Sequence, residues 1–235
     1  MARVKPTEIA TPKVRITALI CTLNEEKSLP HVLPKIPEWV DEVLLVDGHS
    51  SDNTIEIAKR LRPDIRILYQ PARGKGDALR YGFKHASGDI IVALDADGTT
   101  NPEEMSKFIE PLLNGYDFAK GSRFALGLPR NKPWYRILGN WIITMTFNIL
   151  FGKRYSDLCS GYNAFWKKEM ERVNLWSPDG FEDEPFINSR VTKAGLKVIE
   201  VGHLDEGRLG GSSKAPSWRQ GFKAIKTIVR ERFCG

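Results

Sequence analysis

Cysteine is scarce in this chain, and its placement excludes two architectures. Cys21, Cys159 and Cys234 are an odd number with no metal-type spacing, so neither a disulfide framework nor a zinc centre is expected. They read as reduced thiols of a cytosolic protein. Long apolar runs are missing as well. The longest uncharged stretch, Ile137 to Gly152, is broken by Asn140, Thr144, Thr146 and Asn148 and falls short of the ~20 apolar residues of a membrane span. The segment 1–13 is polar, contains Pro6 and Pro12, has no apolar stretch suited to a signal peptide, and reads as a flexible lead-in to one domain over 14–235. No Gly-x-x-x-x-Gly-Lys-Ser/Thr loop is present, and no Gly-x-Gly-x-x-Gly follows the first apolar run. Those absences argue against a Walker-type nucleotidase and a dinucleotide-binding dehydrogenase. Internal repeats and domain linkers are also absent.

What is present suits a globular α/β domain. The chain has 235 residues, 41% hydrophobic and 27% charged, enough for one large domain and too few for two of ordinary size. The net charge of +6 is unevenly placed: from Arg208 onward there are seven Lys or Arg residues and one acid, Glu231. Such a run is either a solvated helix face or a surface for nucleotide phosphate, lipid phosphate or an anionic membrane. Nucleic acid is not among the expected partners.

Strand and helix patterns alternate through the first half. Apolar, β-branched runs predict strands over Val14 to Cys21, Glu42 to Asp47, Ile65 to Tyr69 and Asp89 to Leu94. Between them, Asn24 is placed to cap a helix with Glu25 and Glu26 in its first turn. Gly48 to Asp52 reads as a turn leading into a helix that ends near Leu61, and Lys75 to Ala86 as another helix. Pro102 suits the first turn of the next helix. Beyond it, strands are expected at Asp117 to Gly121, Ser160 to Trp166 and Lys197 to Val201. Helices are expected at Ile137 to Phe151, Glu182 to Ala194 and Ser217 to about Phe233. This alternation implies βαβ units around a mainly parallel central sheet flanked by helices. In such sheets ligands bind beyond the carboxyl ends of the strands. Asn24, Asp47 and Asp95 all fall at predicted strand ends and therefore converge on one edge.

Asp95-Ala96-Asp97-Gly98 follows the buried run Ile90 to Leu94. Two carboxylates at such a turn can share one hard cation, Mg²⁺ or Mn²⁺, while substrate phosphates complete its shell. The alternative is a pair of turn-capping aspartates. Asp47, after another apolar strand, can accept hydrogen bonds from a nucleobase or ribose, or serve as an ordinary turn residue. Gly74-Lys75-Gly76 opens a helix and offers backbone N–H groups and an ammonium to an anion.

Taken in order, these segments resemble the family 2 glycosyltransferases, and within them the polyprenyl- and dolichyl-phosphate sugar synthases. The resemblance rests on Cys21-Thr22-Leu23-Asn24-Glu25, Val46 to Thr54, Gly74 to Leu79, Asp95 to Gly98, Gly121-Ser122-Arg123, Asp157 to Tyr162, and Arg208 through Ser213-Lys214. It covers nearly the whole chain beyond residue 13. It implies a GT-A fold (Rossmann-like, of the nucleotide-diphospho-sugar transferases) and an inverting, metal-dependent hexosyl transfer from a UDP- or GDP-sugar. Thr22, Asn24, Glu25 and Asp47 would line the nucleoside pocket, with Lys75 at the phosphates. Asp95 would bridge nucleotide and metal, and Asp97 would ligate the metal. Arg123, Arg208, Ser213 and Lys214 would face phosphate oxygens of donor or acceptor.

Two departures from the pattern matter. Gly48 stands where many relatives have a second aspartate. Thr99 stands where the lipid-phosphate synthases have glutamine, which leaves the third metal ligand open, with His203 as a candidate. A sugar nucleotidyltransferase would instead have a Gly-rich loop where this chain has Thr22-Leu23-Asn24-Glu25.

The acceptor is either a phosphate or a hydroxyl. Many members of the family use an aspartate, here Asp183 beside Glu182, as general base for a hydroxyl, whereas a phosphate is already an anion. The lipid-phosphate synthases usually lack that aspartate but keep the glutamate. Favouring a lipid, Arg136, Asn140, Thr144 and Asn148 form a polar stripe on an otherwise apolar helix within 134–151, with Trp134, Trp141, Phe147 and Phe151 as interface aromatics. In 217–233, Trp218, Phe222, Ile225 and Val229 form an apolar stripe, and Arg219, Lys223, Lys226 and Arg230 a basic one. Such helices lie against a membrane surface, a membrane partner protein, the domain itself or a second copy in a homodimer. The resemblance thus implies an enzyme of the cytoplasm, peripheral at the inner face of the membrane.

Overall fold

Period-two alternation sorts the strand residues onto two buried faces. In β1 (Ile16–Thr22) and β4 (Ile90–Asp95), Ala18, Ile20, Val92 and Leu94 line one face, while Leu19, Ile91 and Ala93 line the other. Both sets are buried, as in strands covered by helices on both sides. The computed structural model describes residues 13–129, 132–173, 175, 183–209 and 217–234. With β2 (Glu42–Asp47), β3 (Arg66–Tyr69), β5 (Phe118–Ser122), β6 (Asn163–Trp166) and β7 (Val198–Gly202), these strands form a sheet in the order β3-β2-β1-β4-β6-β5-β7. The pairs β3/β2, β2/β1, β1/β4 and β5/β7 are parallel, and β6 is antiparallel to both β4 and β5. All strands except β6 therefore point the same way, and the expectation of a mainly parallel sheet holds.

The helices are α1 (Leu29–Val32), α2 (Thr54–Leu61), α3 (Lys75–His85), α4 (Met105–Leu113), α5 (Trp134–Phe151), α6 (Lys167–Glu171), α7 (Asp183–Lys193) and α8 (Ser217–Phe233). On one face Leu29 of α1, Ala58 of α2, and Phe108 and Leu112 of α4 pack against the sheet. On the other, Leu79 and Phe83 of α3 join Ile187 and Val191 of α7. A third cluster, Ile143, Phe147, Leu158 and Ile228, binds α5 to α8.

Two expectations change. Asn24 does not cap a helix: it adopts a left-handed φ of 53° and its Oδ1 accepts the Ser51 N–H at 2.7 Å. Asparagine tolerates that conformation because its side chain can replace a backbone partner. Helix formation is delayed to Leu29 and lasts four residues. In α5 two residues of the polar stripe, Thr144 and Asn148, face inward, while Arg136 is exposed. Thr144 Oγ1 accepts the Leu158 N–H at 3.0 Å, and Asn148 bonds Tyr155 through both its amide nitrogen and its oxygen, at 2.8 and 2.9 Å. Phe147, expected at an interface, is fully buried and stacks on Phe151 and Tyr155. The surface of α5 is instead apolar, with Trp134, Leu138, Trp141, Ile142 and Ile149 all exposed.

Sheet polarity positions the site. Thr22 pairs with Asp47 and Cys21 with Asp95, so the carboxyl ends of β1, β2 and β4 lie side by side. Arg123 and His203 follow β5 and β7 on that edge. Because β6 is antiparallel, its start, preceded by Ser160-Gly161-Tyr162, reaches the same edge.

Candidate active site

The Asp95 to Gly98 turn presents its carboxylates by local bonding. Gly98 has φ of 83°, a conformation that favours glycine. Asp97 Oδ1 accepts from the Thr99 N–H at 3.0 Å and the Thr99 hydroxyl at 2.6 Å. That leaves Oδ2 facing Arg208, whose Nη1 lies 3.0 Å away. The second Arg208 nitrogen, Nη2, donates to Glu25. Asp95 Oδ1 lies 2.7 Å from Lys75 Nζ, and the same ammonium lies 2.9 Å from Glu184 Oε1. Burial raises the Asp95 pKa, but the Lys75 ammonium, with Arg123 and Arg208 further off, outweighs it, and the carboxyl stays below its ordinary value.

Arg123 is fixed from behind. Its Nε and Nη2 bond the two oxygens of Asp157 at 2.6 and 2.9 Å, a bidentate pair of the strong kind. Asp157 is fully buried, and its pKa is depressed because Arg123 and then Lys120 outweigh the effect of burial. Lys120, also fully buried, donates to the backbone carbonyls of Gly121 and Asp157 and lies 3.8 Å from Glu200.

Asp95, Asp97, Arg123, His203 and Arg208 line one cavity of about 300 Å³. Lys132 and Arg136, at the start of α5, line it too, and Lys132 pairs with Asp205 at 2.6 Å. The lining thus combines carboxylates with cations.

The residues fit a divalent metal. The two carboxylates at the turn already hold an ammonium and a guanidinium, so both are aimed at positive charge. Their oxygen donors suit Mg²⁺ or Mn²⁺, which bind through few protein ligands and use phosphates and water for the rest. Among the described residues no third His, Cys, Asp or Glu joins them in a metal-binding group. His203 is not placed as a third ligand: its Nε2 lies 2.8 Å from Ser160 Oγ and its Nδ1 3.1 Å from the Leu204 carbonyl. Burial, with Arg123 adding to it, lowers its pKa and keeps it neutral. Nδ1 then donates to the carbonyl and Nε2 accepts from Ser160.

The sequence profile described as "Glycosyl transferase family 2" matches residues 17–173. The chain is a family 2 glycosyltransferase. This glycosyltransferase is 33% identical over 229 residues to a dolichol-phosphate mannosyltransferase of Pyrococcus furiosus, covering 92% of this chain and 63% of that one. It is 30% identical over 213 residues to a polyprenol monophosphomannose synthase of Mycolicibacterium smegmatis, covering 85% and 78%. The chain spans 61% and 63% of the length of two of the curated relatives it matches. Among solved structures, the glucosyl-3-phosphoglycerate synthase of Mycobacterium tuberculosis, in complex with Mn²⁺, UDP-glucose and phosphoglyceric acid, aligns with a TM-score of 0.73. The alignment covers 93% of this chain and 80% of that one at 20% identity. That likeness establishes the GT-A fold.

The other sequence-derived candidates of the glycosyltransferase are spread around the cavity. Glu25 and Lys75 border it through their ion pairs with Arg208 and Asp95. Thr22 and Asp47 lie beneath the edge: Asp47 is 0% exposed and its oxygens accept from Thr22, from the Ser50 hydroxyl and from the Ser50 N–H. Its geometry is that of a turn-holding aspartate. Glu182, Ser213 and Lys214 lie outside the described residues, and Asp183 is described only as the first residue of α7.

Sequence reasoning passed over Glu184, Lys132 and Asp205. Glu184 was legible: Glu184, Ile187 and Val191 share one helical face, and the two apolar residues mark it as buried. The Lys132–Asp205 pair joins distant loops and left no local signal.

Gly161 gives a sharp test of this packing. A Cβ added there would lie 2.7 Å from Asp95 Oδ2, 2.8 Å from Lys75 Nζ and 3.0 Å from Glu184 Oε1. Gly161→Ala should lower turnover by on the order of 10²-fold, the scale for displacing catalytic groups by about 1 Å. Its melting temperature should change little, because flexible side-chain ends can move. Steady-state assay beside thermal melting checks both.

Proposed function

We propose that this glycosyltransferase moves a sugar from a UDP- or GDP-sugar to a polyprenyl phosphate, with inversion and with Mg²⁺ or Mn²⁺ at Asp95 and Asp97. The observation that supports it most is one cavity lined both by the carboxylates of Asp95 and Asp97 and by the cations Arg123, Arg136 and Arg208. Donor diphosphate and acceptor phosphate are both anions, and such a lining with a bound cation can hold both. The bound cation would neutralise the leaving diphosphate. Arg208 and Lys75 would grip its oxygens, and Arg123, held rigid by Asp157, would lie between the two phosphates. An acceptor phosphate oxygen then attacks the anomeric carbon as the bond to the diphosphate breaks. No proton has to be removed, so no general base is required. The relatives named as polyprenol and dolichol-phosphate enzymes support the same acceptor.

The apolar surface of α5 supports a membrane location. Trp134, Leu138, Trp141 and Ile149 on α5, with Phe222 and Phe233 on α8, expose a large apolar area. Lys223 and Lys226 of α8 add positive charge suited to anionic lipid. Among the described residues no helix is long and apolar enough to cross a membrane. The reading is therefore of peripheral attachment at the cytoplasmic face, with Arg136 at the start of α5 meeting the lipid phosphate.

A second reading, transfer to a hydroxyl with Asp183 as general base, is favoured by one observation. Asp183 immediately precedes Glu184, whose carboxylate reaches Lys75 at the cavity edge. Asp183→Asn separates the readings. Metal-dependent formation of a lipid-linked sugar from polyprenyl phosphate should continue within about threefold of wild type, since an anionic acceptor needs no base. Absence of any lipid-linked product with either nucleotide sugar, together with transfer to a hydroxyl acceptor that Asp183→Asn abolishes, would establish the second reading.

A further inference from the structure

Two cations in the site share an arrangement. Each bridges one carboxylate of the Asp95/Asp97 pair and a second acid outside it. Lys75 Nζ lies 2.7 Å from Asp95 Oδ1 and 2.9 Å from Glu184 Oε1. Arg208 lies 3.0 Å from Asp97 Oδ2 through Nη1 and holds Glu25 through Nη2. Glu184 and Glu25 are themselves buried, at 7% and 9% exposure. Buried carboxylates are retained only with a partner. Each acid therefore has a cation fixed on it, and each cation sits within reach of the oxygens assigned to the metal.

This geometry creates a conflict when a divalent ion arrives. An ammonium 2.7 Å from an oxygen of Asp95 and a divalent ion on the same carboxylate repel strongly, because like charges a few ångströms apart in a partly buried site are weakly screened. The lysine must give way. The bare Cα of Gly161 leaves it room, since Asp95, Lys75 and Glu184 all crowd the place a Cβ would take.

We infer that Lys75 is a resident counter-ion that competes with the metal for Asp95, and that Glu184 is a positioning residue that keeps the ammonium in the site once the metal displaces it. This rests on the reading of Asp95 and Asp97 as the metal pair. With Glu184 present, Lys75 exchanges one of two carboxylate partners and stays beside the donor phosphates. Without Glu184, Lys75 has Asp95 as its remaining carboxylate in this pair of contacts, holds it more tightly and opposes the metal more strongly.

The test reads metal affinity rather than turnover. Free Mn²⁺ is measured by electron paramagnetic resonance in titrations of the nucleotide-free protein, with thermal melting to verify folding. Lys75→Gln keeps a donor for Glu184 but removes the charge, and should tighten Mn²⁺ binding by on the order of tenfold, the scale of one charge contact in a partly buried site. Glu184→Gln should weaken it by a similar factor. In the double variant the Glu184 substitution should matter by less than about threefold, because no ammonium remains to be handed over. If Lys75→Gln fails to fold, the double variant against Glu184→Gln alone reads the same competition, and should bind Mn²⁺ more tightly.

Unchanged or weaker Mn²⁺ binding on loss of the Lys75 charge would overturn the inference. So would an equal effect of Glu184→Gln with and without Lys75, which would make Glu184 a nearby charge and nothing more. Failure of the underlying metal reading looks different: the wild type would bind no Mn²⁺, or bind it equally well as Asp97→Asn.

Discussion

Asp97→Asn should reduce metal-dependent release of nucleoside diphosphate by on the order of 10³-fold or more, the scale expected when a catalytic cation loses a charged ligand worth several kcal/mol. The substitution isolates charge from shape. An asparagine oxygen can still accept from the Thr99 N–H and hydroxyl, as Asp97 Oδ1 does, so the turn is kept. What disappears is the negative oxygen that faces Arg208 at 3.0 Å. Arg208 retains Glu25, so no buried cation is stranded, and the melting temperature should stay close to that of the wild type. The check is steady-state turnover with UDP- and GDP-sugars over a range of Mn²⁺ and Mg²⁺ concentrations. Activity within tenfold of the wild type at low metal would remove Asp97 from the metal site. Recovery at high metal would show that the residue serves affinity alone.

The reason this prediction can be made from one turn is also the reason that much of the site could be read in the sequence. Strand β4 is a run of buried aliphatic residues, Ile90 to Leu94, and such a run fixes where its two aspartates emerge. Asp47 likewise ends the buried run Val43 to Val46 of β2, and local period and strand polarity were enough to bring it and Asp95 to one edge. Arg123 follows Lys120-Gly121-Ser122 in β5, which carries no such signal, and was reached through the family resemblance alone. Local signals misled where a side chain bonds far along the chain. Asn24 looks like a helix cap, yet it bonds Ser51 across the edge of the sheet. The polar residues of α5 read as one stripe whose partner was left open, and Thr144 and Asn148 bond Leu158 and Tyr155. A helical stripe reveals its two faces but not which one meets the protein. Here Thr144 and Asn148 turn inward because the segment 155–158 brings backbone groups that need partners, and that segment is placed only by the fold. Lys132 and Asp205 escaped notice for the same reason.

The Asp157 cluster carries the second large effect. Asp157→Asn should destabilise the protein by ~3–5 kcal/mol, the usual result of removing one partner from a buried ion pair. Arg123, whose side chain is 16% exposed, and Lys120, at 0% exposure, would both lose their nearest buried anion, and Glu200 lies 3.8 Å from the lysine, too far to replace it fully. In a chain of this size such a loss lowers the melting temperature by on the order of 10 °C. Two further measurements tie the effect to charge. First, Lys120→Met added to Asp157→Asn should recover part of the lost stability, because it removes the stranded ammonium. Simple additivity of the two single changes would argue against the cluster.

The second measurement is pH. Asp157 has its carboxyl depressed in the folded state, so its contribution is complete above the unfolded-chain value of ~4 and is lost as pH falls through the lower folded value. The gap in stability between wild type and Asp157→Asn should therefore be constant near neutrality and shrink below about pH 4. A gap that widens on acidification would mean that the carboxylate is not held ionised by Arg123 and Lys120. Arg123 would then lack the rigid support that its bidentate pair with Asp157 gives it.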